Sequence, residues 1–194
     1  MKRAARRRSE LCAVELLCQQ AYASIYDLSL LSPLHLTLPV DLAFESFAGF
    51  AKRTGATLPE DLHVAEGLTI RHGGRYLILY DDRIENKRRL SFTLAHELGH
   101  VLLGHTGEDE RCEEQEANAF AASLLSPAIV YRYLTYRDAH APTPQEMTAI
   151  FPLSYEAAVH RCQDLEGRKM PRPADCEITL LLHLFGKLPP AFGQ

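Results

Sequence analysis

Apolar residues recur at helical spacing over most of this chain and follow a strand pattern in one short region. Residues 9–29 read as a helix, with Leu11, Val14, Leu17 and Ala21 on one side. Pro39-Val40-Asp41 opens a second helix, with Leu42, Phe44, Phe47 and Phe50 as its apolar side and Gly55 as its stop. The pattern then changes. Residues 67–71 and 75–80 are β-rich runs around His72-Gly73-Gly74, a hairpin signal. Ser91 is the expected cap of the next helix, whose buried face is Leu94, Leu98, Val101 and Leu102 and whose stop is Gly104. After the turn His105-Thr106-Gly107 an acidic cluster starts another helix, through Ala117, Phe120, Ala121 and Leu124 to Pro127. Residues 128–137 read as a short helix, and Thr143-Pro144 opens one more. Phe151-Pro152-Leu153 breaks that helix, and Ser154 caps a last one running to about Gln163. The apolar run 178–185 fits helix or strand. The fold class is therefore α+β, mostly helical, with a small sheet and a C-terminal helix pair.

A length of 194 residues suits one domain with small appendages. The expected division is a basic helical extension over 1–35, a core over 36–140, and a helical region with a tail over 141–194. The net charge of −4 argues against a general nucleic-acid binder. The charge is uneven, however. Lys2, Arg3, Arg6, Arg7 and Arg8 crowd the start, an arm that suits phosphates or simply a solvated helix end. Glu15 interrupts any apolar stretch of a secretory signal, and no apolar run is long enough to span a bilayer. Five cysteines, an odd number without a CxxC pair, fit free thiols in a reducing cytoplasm. Cys112 reads as a spectator near the acidic cluster.

The chemistry concentrates in His96-Glu97-Leu98-Gly99-His100. On a helix, histidines four residues apart stack on one face and can share a metal, while the intervening Glu97 points about 100° away. This H-E-x-x-H pattern predicts a zinc hydrolase with one zinc per chain, His96 and His100 as ligands and Glu97 as base. A catalytic zinc takes three protein ligands and a water whose pKa falls to about 7. Glu116, flanked by alanines that allow close approach, is the expected third ligand, with Glu113 one turn earlier as runner-up. Glu114 is expected to face elsewhere, and Glu108 and Glu110 to be solvated. Tyr131, Tyr133, Tyr136 and His105 are candidates for a second oxyanion donor, and Asn118 for orienting a ligand. Manganese or iron also suits a His-His-Glu set, with zinc the default.

The segment 92–105 (FTLAHELGHVLLGH), followed by 116–127 (EANAFAASLLSP), resembles the ImmA/IrrE family of metallo-endopeptidases. Leu38-Pro39-Val40-Asp41 and the strand at 76–80 are similar to that family too, and the likeness spans roughly 36–165. The resemblance implies a thermolysin-like zincin core with a small antiparallel sheet. It implies zinc on His96, His100 and Glu116, and Glu97 as catalytic base. It also implies cleavage of a helix-turn-helix repressor, relieving repression under stress. The strand at 76–80 would then pair with an extended substrate.

One alternative is a non-catalytic, zinc-containing regulator that binds DNA or protein. Residues 143–163 form a helix pair similar in outline to a helix-turn-helix, with His160 and Arg161 as its cationic residues. Glu156 and Asp164 oppose phosphate contact, so a packing or substrate-docking role is favoured and direct DNA binding is not. A second alternative is a toxin-like partner with a structural metal. The intact Glu97 counts against it, because a structural zinc needs no base.

Overall fold

Two runs of β-forming residues meet at Gly73-Gly74, where both glycines have positive φ (56° and 81°), the geometry of a tight two-residue hairpin turn. In this computed structural model, which describes residues 2–22, 24–57, 66–188 and 192, the runs are β2 (Gly67–His72) and β3 (Arg75–Tyr80). The register runs from Gly67↔Tyr80 to His72↔Arg75. A third strand, β1 (Leu42–Ser46), pairs with the other edge of β3 in parallel, from Leu42↔Tyr76 to Ser46↔Tyr80. The sheet is therefore mixed, in the order β1-β3-β2, and not purely antiparallel. Its central strand carries the best-buried residues, Ile78 and Leu79.

The stretch expected as one helix from Pro39 is thus a strand followed by a helix. Leu42 and Phe44 alternate, as a pleated strand requires. The switch falls at Ser46, whose hydroxyl accepts from the Gly49 amide (3.0 Å) and caps α2 (Phe47–Thr54). Gly55 ends α2 in the left-handed region, as the pattern predicts.

The helix expected over 9–29 is α1 (Arg3–Cys18), followed by a separate 3-10 turn, Ile25–Leu30. Asp27 sets that turn off by accepting from the Ser24 amide (2.8 Å). The metal-motif helix, α3 (Lys87–Leu103), starts a turn before Ser91. Asn86 is its cap, accepting from the amides of Arg88 (3.0 Å) and Arg89 (3.3 Å), and Ser91 lies buried inside the helix. Then follow α4 (Glu110–Leu125), α5 (Ala128–Asp138), α6 (Pro144–Ile150) and α7 (Tyr155–Leu165). Thr143 and Glu146 cap α6 reciprocally, and Ser154 caps α7. The run left open at 178–185 is helical, in α8 (Asp175–Phe185), with Leu180, Leu181 and Leu184 turned inward.

The fold is α+β and mostly helical. Helices α3 and α4 form the main helix contact, α1 packs on α4 and α8, and β2 and β3 lie against α3. Gly99 and Ala117 allow the α3–α4 approach: a Cβ at Gly99 would stand 3.2 Å from the Ala117 Cα. One core joins Leu98 and Leu94 of α3, Phe120 and Leu124 of α4, and Leu17 of α1.

The N-terminal arginines are bound into this framework. Arg6 pairs with Glu10 and Asp164, Arg7 with Glu177, and Arg8 donates to the Leu103 carbonyl (3.0 Å). Among the described residues no helix is long and apolar enough to cross a membrane.

Candidate metal centre

Histidines at positions 96 and 100 lie one turn apart on α3, with their Nε2 atoms 3.0 Å apart. The carboxylate that joins them is Glu114, whose Oε2 lies 3.3 Å from His96 Nε2 and whose Oε1 lies 3.2 Å from His100 Nε2. Two imidazoles and a carboxylate form a donor set that suits zinc. With bonds of 2.0–2.1 Å, a tetrahedral zinc has ligand–ligand edges of about 3.3 Å, close to the spacings these donors show. His96, His100 and Glu114 could therefore hold a metal ion.

Glu116, the expected third ligand, does not join this group. Its Oε2 faces His105 Nε2 at 3.4 Å. Helical geometry explains the difference. Residues four apart share a face, and residues two apart point about 200° from each other. Asn118 faces α3, where its Oδ1 lies 3.1 Å from His96 Nδ1, and four residues before it stands Glu114. Glu113, the runner-up, is occupied otherwise: it accepts from the amides of Thr106 (3.0 Å) and Gly107 (2.8 Å), closing the α3–α4 turn. Those amide bonds, the Thr106 one foremost, hold its carboxyl below the usual range. Asn118 stands where a ligand-orienting residue was expected.

Burial and the adjacent His96 push His100 below its ordinary value of 6.5, so near neutral pH it offers a lone pair to a cation. Glu97 leaves the histidine face and turns toward β2, where Thr69 Oγ1 donates to its Oε2 at 2.6 Å. Gly67 makes room for that carboxylate, since a Cβ there would lie 2.9 Å from Glu97 Cγ and from Thr93 Cγ2. Together these groups open into a cleft of about 420 Å³ that Thr69, Arg71, Tyr76, Glu97 and His100 help to line.

Of the expected oxyanion donors, only His105 lines this cleft. Tyr131 and Tyr133 are buried on α5, Tyr133 stacked on Phe185 at 3.9 Å, and Tyr136 borders a separate cavity. The aromatic residue at the cleft is Tyr76, with the Arg71 guanidinium 5.7 Å from its ring. Tyr76 belongs to the strand expected to pair with substrate, and its position beside the hairpin turn brings its ring to the cleft. Cys112 is exposed, and its hydrogen bond to Asp109 pushes its thiol up, away from reactivity. On α7, Arg161 is buried and donates to the Ser126 carbonyl (2.7 Å), so it does not reach a phosphate.

A helix that presents H-E-x-x-H to a second helix carrying a carboxylate, beside a small sheet, defines a metallopeptidase-type centre. Residues 47–163 match the family model of the M78 peptidases, described as the IrrE N-terminal-like domain. The match covers more than half of the chain, and the protein belongs to this family of metallo-endopeptidases. No curated protein and no solved structure matches the chain significantly.

Proposed function

We propose that this protein is a zinc-dependent endopeptidase that cuts an extended segment of a protein substrate, with Glu97 as general base and His96, His100 and Glu114 as metal ligands. The convergence of both Nε2 atoms on the Glu114 carboxylate, at spacings near tetrahedral edges, carries this reading. A zinc ion bound there supplies a Lewis acid for the scissile carbonyl and lowers the pKa of water toward neutrality. Thr69 occupies Oε2 of Glu97, so Oε1 is the atom that takes the proton of the attacking water and returns it to the leaving amine.

The substrate strand aligns along β2. The sequence reading gave that role to β3, but β3 is the central strand and both of its edges are paired. Among the described residues strand β2 is paired on one side only, and its Gly67, Leu68, Thr69 and Arg71 line the cleft. An extended peptide can add to its other edge by main-chain hydrogen bonds. The family likeness supports a helix-turn-helix transcriptional repressor as the substrate. Free cysteines support a reducing compartment.

Elemental analysis tests the ligand set. Wild type is expected to carry about one zinc per chain and Glu114→Ala to lose it. Glu97→Gln is expected to keep zinc yet fail to cleave a co-encoded repressor that the wild type cuts. Zinc-free wild type, purified without chelator, would overturn the reading.

A further inference from the structure

Behind the candidate ligand His100 stands a second pair of side chains that the proposed chemistry does not use. His105 Nδ1 lies 2.9 Å from His100 Nδ1, and His105 Nε2 lies 3.4 Å from Glu116 Oε2. His105 and Glu116 are well buried, with side chains 7% and 16% exposed. The chain is steered into this arrangement. Gly104 ends α3 in the left-handed region (φ 72°), and the His105 amide then donates back to the His100 carbonyl (3.0 Å). That turn folds the His105 ring onto the His100 ring, edge to face, with centroids 4.8 Å apart.

The proton inventory along this line has one consistent solution. His100 directs Nε2 at His96 and Glu114, so in the metal-binding form Nε2 is unprotonated and Nδ1 carries the hydrogen. That hydrogen is donated to His105 Nδ1, which leaves the His105 hydrogen on Nε2, aimed at the Glu116 carboxylate. His96 is served in parallel, its Nδ1 donating to Asn118 Oδ1 (3.1 Å).

We propose that His105 and Glu116 are positioning residues that act as a relay, fixing the tautomer and orientation of His100 and so setting metal affinity. The inference rests on the metal-site reading above and assigns Glu116 an outer role in place of a ligand's. Partners of this kind typically contribute 10–100-fold to metal affinity. Loss of His105 frees the His100 ring to rotate and removes the acceptor for its Nδ1 hydrogen.

The test measures zinc affinity of the full chain by chelator competition, the cobalt(II) absorption spectrum, and the melting temperature of the metal-free form. His105→Ala is expected to weaken zinc binding about 10–100-fold and to leave the tetrahedral cobalt spectrum intact. His105→Asn places an amide near the lost Nδ1 and is expected to recover most of the affinity. Glu116→Gln is expected to fall between the two, with metal-free stability near wild type. Wild-type affinity in both His105→Ala and Glu116→Gln would overturn the relay. So would a changed cobalt coordination in either, which would make that residue a ligand. Equal weakness of His105→Asn and His105→Ala, tracking a lower metal-free melting temperature, would reduce His105 to packing and overturn it as well. If wild type itself binds no zinc, the metal-site reading fails first, and that result is distinct from the other three.

Discussion

Glu97 is held from two directions, and each hold is a single atom. Thr69 donates to Oε2, and the missing Cβ of Gly67 leaves the space in which the carboxylate lies. Gly67→Ala would put a methyl carbon 2.9 Å from Glu97 Cγ and 3.3 Å from its Oε1. The far end of Glu97 is flexible and gives way more readily than β2. The substitution is therefore expected to lower cleavage by at least ~10-fold, about 1.4 kcal/mol in the barrier. Zinc content is expected to stay at the wild-type level. Cleavage kinetics with metal analysis on one preparation checks this, and full activity in Gly67→Ala would refute it. At this scale His96, His100 and Glu97 were legible because three letters at fixed helical spacing already define their geometry. Glu114 was not legible by the same route. Which of four nearby acids faces α3 depends on where α4 touches it, and Gly99 against Ala117 decides that. The usable signal for the carboxylate beside the two histidines was Asn118: one turn back from this residue, which faces His96, stands Glu114.

At the scale of elements, the helices came through where caps and apolar faces agreed. The glycine ends of α2 and α3 stand where the pattern put them. Strand β1 was missed because five residues followed directly by a helix have too little local signal, and its partner β3 lies some thirty positions on. The α3–α4 contact is the element pairing that builds the candidate metal centre, and Gly99 lies at a close approach within it. A Cβ there meets Phe120 Cδ1 at 3.1 Å and the Ala117 carbonyl oxygen at 3.3 Å, one movable group and one that is part of a helix backbone. Gly99→Ala gains helix propensity worth about 1 kcal/mol, while overpacking costs typically 1–3 kcal/mol. The net expectation is a loss of about 1 kcal/mol in denaturant unfolding of the metal-free protein. Zinc affinity should weaken with it, because the separation of α3 from α4 sets the reach of Glu114. A Gly99→Ala variant that is more stable and binds zinc as wild type does would show that this contact is slack.

Across the whole molecule, the basic N-terminus and the C-terminal helices form one electrostatic staple. Composition alone suggested an arm for phosphates or a solvated helix end, because only the fold shows that Arg6 and Arg7 reach partners more than 150 residues away. Asp164 is the joint between α1 and α7. It pairs with Arg6 and accepts from Arg161 at 3.0 Å. Burial pushes the Arg161 guanidinium down to about 10, which leaves it charged at neutral pH and in need of this carboxylate. For Asp164 burial acts upward, but the Arg6 hydrogen bond and the Arg161 charge outweigh it, and its carboxyl sits below the ordinary 3.8. A carboxyl depressed in the folded state binds fewer protons there than in the unfolded chain. Its stabilisation is therefore complete above the unfolded value and disappears as the pH falls through the folded one. Asp164→Asn removes that pH dependence and leaves the Ser126 carbonyl as the hydrogen-bond acceptor of Arg161 among the described residues. Breaking a fully buried pair costs about 3–5 kcal/mol, and because the Asp164 side chain is 33% exposed, screening reduces the expectation to about 1–2 kcal/mol near neutral pH. Urea unfolding as a function of pH checks both parts. The two proteins should differ most above the ordinary carboxyl range and converge below 3.8, as the wild type surrenders the pair that the variant never had. Curves that stay parallel into acid would mean that Asp164 acts by packing alone, and that α1 is held by Arg7 on Glu177 and by its apolar face.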